Sequence, residues 1–116
     1  MENFGQFLRS KCMDFSIEIV NLYKHLREDK KEYVLSNQVL RSGTSIGANL
    51  VEAQNGISQK DFVAKLFISL KETAETEYWL ELLFRTKYLT QEEYDTINSK
   101  CQELYKLFNS ITRNTK

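Results

Sequence analysis

Proline is absent from the 116-residue chain. Proline breaks helix interiors and is common in loops, so its absence predicts long helices joined by short connections. No run of 18 apolar residues occurs, which excludes a transmembrane span and a membrane partner of that kind. The N-terminal stretch MENFGQFLRSKCMDF has an acid at position 2 and no long apolar core, so a secretory signal is not expected. Cysteine is sparse: Cys12 and Cys101 stand far apart and fit no metal spacing, as expected for reduced thiols in a cytoplasmic protein. An excess of either charge is missing, with 16 basic residues against 16 acidic. Neither half is a basic arm, and net charge gives no support to a nucleic-acid partner.

Catalytic signatures are missing as well. Neither a phosphate-binding loop nor a dinucleotide fingerprint is present. His25, the single histidine, leaves little scope for Ser-His or Cys-His catalysis. A di-iron bundle needs two glutamates and two Glu-x-x-His motifs, and the chain has no such motif. The reading is therefore a protein without catalytic site, cofactor or metal.

Apolar spacing is what the chain does contain. Phe4, Leu8, Cys12, Phe15, Ile19, Leu22 and Leu26 recur at intervals of three and four, one stripe of a long helix. Leu35, Val39, Ile46, Leu50 and Ala53 mark a second helix, expected to end at Asn55-Gly56 through a left-handed glycine. Gly43 and Gly47 lie inside it. Each costs about 1 kcal/mol relative to alanine, so close approach of another segment is expected there. Ser58 and Asp61 open a third helix, whose main face is read as Phe62, Val63, Leu66, Phe67, Leu70, Ala74 and Tyr78. Thr90 and Glu93 form a capping box for a fourth, with Ile97, Cys101, Leu104, Phe108 and Ile111 as its stripe. The prediction is an all-α, single-domain protein, an up-down-up-down antiparallel four-helix bundle with helices near 3–27, 32–55, 59–86 and 91–113. The loops after helices one and three then share one end.

Three groups of residues stand out against this frame. Tyr33, Leu40 and Val51 on helix two, and Ile68, Trp79, Leu82 and Leu83 on helix three, form apolar stripes apart from the main ones. Helices apolar on more than one side are usually buried on more than one side, so these residues are candidates for a self-association interface on helices two and three. Arg41, Ser45, Asn49 and Glu52 form a polar stripe on helix two, and Glu77 and Glu81 fall within the expected core face of helix three. A polar seam follows, with Arg41 paired to Glu77 or Glu81, read as structural ahead of a ligand site. Lys24, Arg27, Lys30, Lys31, Arg85 and Lys87 gather at one end as a loose nucleic-acid patch, mixed with acids.

The stretch from Leu40 to Ala53, LRSGTSIGANLVEA, resembles the bacterial family named "four helix bundle protein", first noticed as reading frames inside intervening sequences of 23S rRNA genes. Phe67 to Glu77 and the Tyr-Leu-Thr entry into helix four are similar to that family too, so the likeness covers nearly the whole chain. Family members often have proline where Gly47 stands and glycine where Ala53 stands. The resemblance implies a left-handed bundle, commonly a homopentamer, with no known enzymatic activity. The accessory proteins of diversity-generating retroelements look similar and bind nucleic acid, but they are notably basic, unlike this neutral chain. The expected function is thus a non-catalytic, self-assembling interaction or scaffold protein in the cytoplasm. An rRNA- or nucleoprotein-associated protein is the alternative, and a carboxylate-based metal or ligand bundle comes third.

Overall fold

A computed structural model describes residues 3–114. Four helices account for most of them: α1 (Phe4–Glu28), α2 (Leu35–Gln54), α3 (Gln59–Arg85) and α4 (Gln91–Asn114). Each packs on its neighbours in chain order, and α4 returns to α1 to close the bundle. The α2–α3 seam is the most intimate and the α1–α4 seam the least. No strand occurs among the described residues.

Local chemistry sets the helix starts. Asn3 and Gln6 form a reciprocal capping box on α1, and Thr90 and Glu93 form the expected one on α4. Ser58 Oγ accepts from the Asp61 amide at 3.1 Å to open α3. Helix α2 starts three residues later than expected, because Glu32 stays outside it and caps it. Its carboxylate accepts from the amides of Val34, Leu35 and Ser36 at 3.2, 3.0 and 2.7 Å. Burial alone would raise the Glu32 carboxyl, but those three backbone donors outweigh it and hold it below its ordinary range.

The helix ends depart from expectation. No glycine among the described residues has a positive φ, so Gly56 does not end α2 in the left-handed region. A Cβ there would lie 2.6 Å from the Asp61 carboxylate, which would have to turn aside. The left-handed positions belong to Lys31 (φ 55°) and Lys87 (φ 70°). At Lys87, the amides of Lys87 and Tyr88 bond to the carbonyls of Phe84 and Leu83, the double bond of a Schellman ending.

In the core, α1 and α4 keep the expected stripes. Leu8, Cys12, Phe15, Ile19 and Leu26 are buried on α1, and Ile97, Cys101, Leu104 and Phe108 on α4. Phe4 lies outside, and Thr112 takes an inward place on α4. Gly43 and Gly47 admit α1 closely: an added Cβ would stand 2.8–2.9 Å from Ile19 and 3.1 Å from Cys12 Cβ. Burial pushes the Cys12 thiol up to about 12 and raises that of Cys101, so both are unreactive core groups.

Helix α3 keeps only part of its expected face: Leu66 is buried and Phe62 and Leu70 pack against the core. Its inward stripe is Leu66, Ser69, Thr73, Thr76, Leu80 and Leu83. Phe67 and Tyr78, expected inside, are 42% and 61% exposed. The hydroxyls are tolerated because carbonyls and another hydroxyl satisfy them. Ser69 Oγ donates to the Ile46 carbonyl at 2.9 Å, and Thr76 Oγ1 lies 2.7 Å from the Glu72 carbonyl and 2.9 Å from Ser42 Oγ. Small hydroxyl-bearing residues on both sides bring α2 and α3 close together.

Candidate functional site

The polar seam exists along α2 and α3, but its acidic partners are not those expected. Arg41 Nη1 donates to Glu72 Oε2 at 3.0 Å, and Nη2 bonds to Glu75. Trp79 Nε1 donates to the same Glu75 oxygen at 3.0 Å. The Trp79 N–H first, and Arg41 after it, hold the Glu75 carboxyl below its ordinary range despite its partial burial. Glu77 and Glu81 do not reach Arg41. Glu81 pairs with Arg85 at 3.0 Å, one turn along its own helix. Glu77 is half-buried with its carboxyl raised by burial, and its charge acts on Cys101 and Tyr94 of α4. The reason is the rotation of α3: with Ser69, Thr73 and Thr76 inward, Glu72 and Glu75 face α2 and Glu77 turns toward α4.

The rest of the α2 stripe is satisfied within the chain. Ser45 Oγ donates to the Arg41 carbonyl at 2.6 Å and Asn49 Nδ2 to the Ser45 carbonyl at 2.8 Å. Glu52 pairs with Lys65 of α3 at 3.1 Å. One atom stays unmatched: Glu72 Oε1 is buried without a hydrogen-bond partner. Among the described residues, no group of three or more His, Cys, Asp or Glu side chains could hold a metal ion.

The interface candidates separate. Leu83 is fully buried inside the bundle and leaves the set, because it completes the inward stripe of α3. Leu40 and Trp79 are half-buried against the core, and Val51, Ile68 and Leu82 are also half-buried. Tyr33, 49% exposed, lies under the Arg27 guanidinium of α1 at 5.0 Å. Trp79 instead belongs to the Arg41–Glu75 cluster on the α3 flank of α2. Tyr33 and Trp79 therefore lie on opposite flanks of α2. Exposed apolar groups occur on helices that carried no such expectation or the wrong one: Met13 (56%) and Ile17 (52%) on α1, Phe67 and Tyr78 on α3.

The basic patch also divides. Lys30, Arg85 and Lys87 line one cleft of about 350 Å³ with Phe84, Tyr88 and Thr90. This places the loops after α1 and α3 at the same end. Arg27 covers Tyr23 and Tyr33, Lys31 Nζ donates to the Glu28 carbonyl at 2.9 Å, and Lys24 is exposed. His25 holds Asp29 through Nδ1 at 2.7 Å, with Nε2 3.8 Å from Glu93 of α4.

This four-helix frame matches the family described as "23S rRNA-intervening sequence protein" over residues 8–110. The chain belongs to that family. It is similar to a protein of unknown function from the S23 ribosomal protein family of Bacteroides thetaiotaomicron VPI-5482, seen in a crystal structure. The two are 52% identical, over 95% of this chain and 98% of the other, with a TM-score of 0.92. None of the curated proteins matches. Membership therefore establishes a fold and a lineage, and the relative brings no activity with it. Among the described residues, no helix is long and apolar enough to cross a membrane.

Proposed function

We propose that this protein is a non-catalytic subunit that assembles with copies of itself in the cytoplasm and serves as an interaction scaffold. The observation that carries the reading is the pair of outward apolar faces, Met13 and Ile17 on α1 and Phe67 and Tyr78 on α3. Exposed apolar groups of this size, clustered by helix, mark contact surfaces. α1 and α3 are diagonal members of the bundle, without close backbone approach to each other. Two different faces on separate sides suit a head-to-tail contact, in which one face of a subunit meets the other face of the next. Such contacts close into rings when the rotation permits, in keeping with the pentamer that the sequence resemblance implies.

Light scattering on a size-exclusion peak tests this directly. A pentamer of 13.7 kDa chains has a mass of about 68.5 kDa. The double variant Phe67→Glu/Tyr78→Glu, both positions exposed, should lower the mass toward 13.7 kDa while helical content is kept. A wild-type mass of 13.7 kDa at micromolar concentration refutes self-assembly.

One observation favours a second reading, an RNA-associated protein. Lys30, Arg85 and Lys87 converge on a single cleft walled by Phe84 and Tyr88, and a ring would repeat that cleft in every subunit. Phosphate contacts make such binding steeply salt-dependent. A flat salt response, or no binding of an rRNA fragment at micromolar protein, removes this reading.

A further inference from the structure

The loosest seam of the bundle, between α1 and α4, is lined by more acidic than basic side chains. Two clefts of about 310 and 440 Å³ lie end to end along it and share Glu18. Phe15 and Leu104 line the first, and Leu22, Leu89 and Ile97 line the second. From Lys11 to His25 the groove follows about 21 Å of α1, at 1.5 Å per residue.

Among the described residues, two lysine–carboxylate pairs and one histidine–carboxylate approach cross it above the apolar core. Lys11 pairs with Glu103, Lys100 with Glu18 at 2.8 Å, and His25 approaches Glu93 at 3.8 Å. Lys11, Glu18 and His25 are spaced seven residues apart, so the links lie along one face of α1 at two-turn intervals. All are partly exposed, and such pairs hold weakly. The carboxylates outnumber the ammonium groups: Asp14, Glu18, Glu92, Glu93 and Glu103 against Lys11 and Lys100. Both lysines are already engaged. Among the described residues, no ion pair reaches Asp14 or Glu92, which are exposed on the rim. In a chain with no net charge, this is a concentrated negative strip over an apolar floor.

We propose that the α1–α4 groove is a docking site for a basic amphipathic helix of another protein. Its apolar stripe would sit on the floor formed by Leu22, Leu89 and Ile97. Its lysines or arginines would face Asp14, Glu92 and Glu93, the carboxylates that Lys11 and Lys100 do not engage. The sign of the charge excludes nucleic acid and an anionic lipid surface as occupants. A helix fits where a strand does not, since the groove is bounded by two helices and presents no unpaired backbone edge. Neither the existence of this site nor its test depends on self-assembly.

The experiment uses the full chain and three fluorescein-labelled peptides of about 14 residues, which span ~21 Å as a helix. The first carries leucines at helical spacing with lysines between them. The second replaces lysine by glutamate, and the third scrambles the first so that no stripe remains. Fluorescence anisotropy should show saturable binding of the first alone, with Kd on the order of 10 µM. Raising NaCl from about 50 to about 300 mM should weaken it about tenfold. Hydrogen exchange should show protection confined to the two groove helices, around residues 11–25 and 89–104. The variant Asp14→Lys/Glu92→Lys should weaken binding at least about tenfold with unchanged mass. The neutral variant Asp14→Asn/Glu92→Gln, which adds no cation near the α4 N-terminus, should weaken it by a smaller factor in the same direction. Equal binding of the scrambled peptide, equal binding by both variants, protection on the outer faces of α1 and α3, or no binding at about 100 µM would overturn the proposal.

Discussion

Replacing Glu32 by alanine should destabilise the bundle out of proportion to its position in a loop. The carboxylate accepts three amides at the start of α2 and is itself 8% exposed. Losing a helix cap costs about 0.5–2 kcal/mol, and losing a negative charge at a helix N-terminus adds about 0.3–1 kcal/mol. Ser36 is fully buried, so its amide has little access to replacement water. A loss of about 2 kcal/mol follows. With about 2.1 cal/mol/K of unfolding entropy per residue over 116 residues, Tm should fall by about 8 °C. Calorimetry at equal protein concentration measures this without interference from association. The pH dependence adds a second test. Because the folded-state carboxyl is held below its ordinary value of 4.5, its stabilisation is complete above that value and lost as pH falls through the folded value. The gap between wild type and Glu32→Ala should therefore narrow as pH falls below 4.5. Glu32→Gln keeps one neutral acceptor and should show a smaller loss at neutral pH. A Tm change below about 2 °C at pH 7, or a gap that stays constant into acid, would refute the capping argument.

Two further substitutions probe the seams of α2. Arg41→Ala leaves the Glu72 carboxylate buried without its cation. Breaking a fully buried pair costs about 3–5 kcal/mol; Arg41 is 49% exposed, so solvent reduces the expected loss to about 1–3 kcal/mol. Chemical denaturation of Arg41→Ala, Glu72→Gln and the double variant should give a coupling energy above about 0.5 kcal/mol, and strict additivity would count against the pair. Gly43→Ala improves helix propensity by about 1 kcal/mol yet drives a Cβ to 2.8–2.9 Å from Ile19. Overpacking of about 1–3 kcal/mol should win, with a lower denaturation midpoint that Ile19→Val partly restores; a stabilised Gly43→Ala would show that α1 yields easily.

Much of the architecture was legible in the residues. The stripes of α1 and α4, the Thr90–Glu93 box and the need for Gly43 and Gly47 in a close contact are local signals. Each depends on the period of one helix or on residues three apart in the chain. Family membership was legible too, because the LRSGTSIGANLVEA stretch carries it. The α3 face was misread because an apolar count cannot foresee buried hydroxyls. Ser69 is comfortable inside only because the Ile46 carbonyl of the neighbouring helix accepts its proton. That single rotation then decided the rest: Glu72 and Glu75 in place of Glu77 and Glu81 as partners of Arg41, Leu83 in the core, and Phe67 and Tyr78 in solvent. The spacing of Lys11, Glu18 and His25 could have marked the α1–α4 groove, but their partners on α4 lie 68 to 92 residues away.

The sequence by itself determined that there are four helices, roughly where they start and stop, and which family they form. Helix period and capping act within a few residues, and no distant contact is needed to express them. Tertiary structure alone decided which flank of each helix meets which neighbour. That choice minimises unsatisfied polar groups and voids across all four helices at once, and it depends on carbonyls and side chains that no single helix contains.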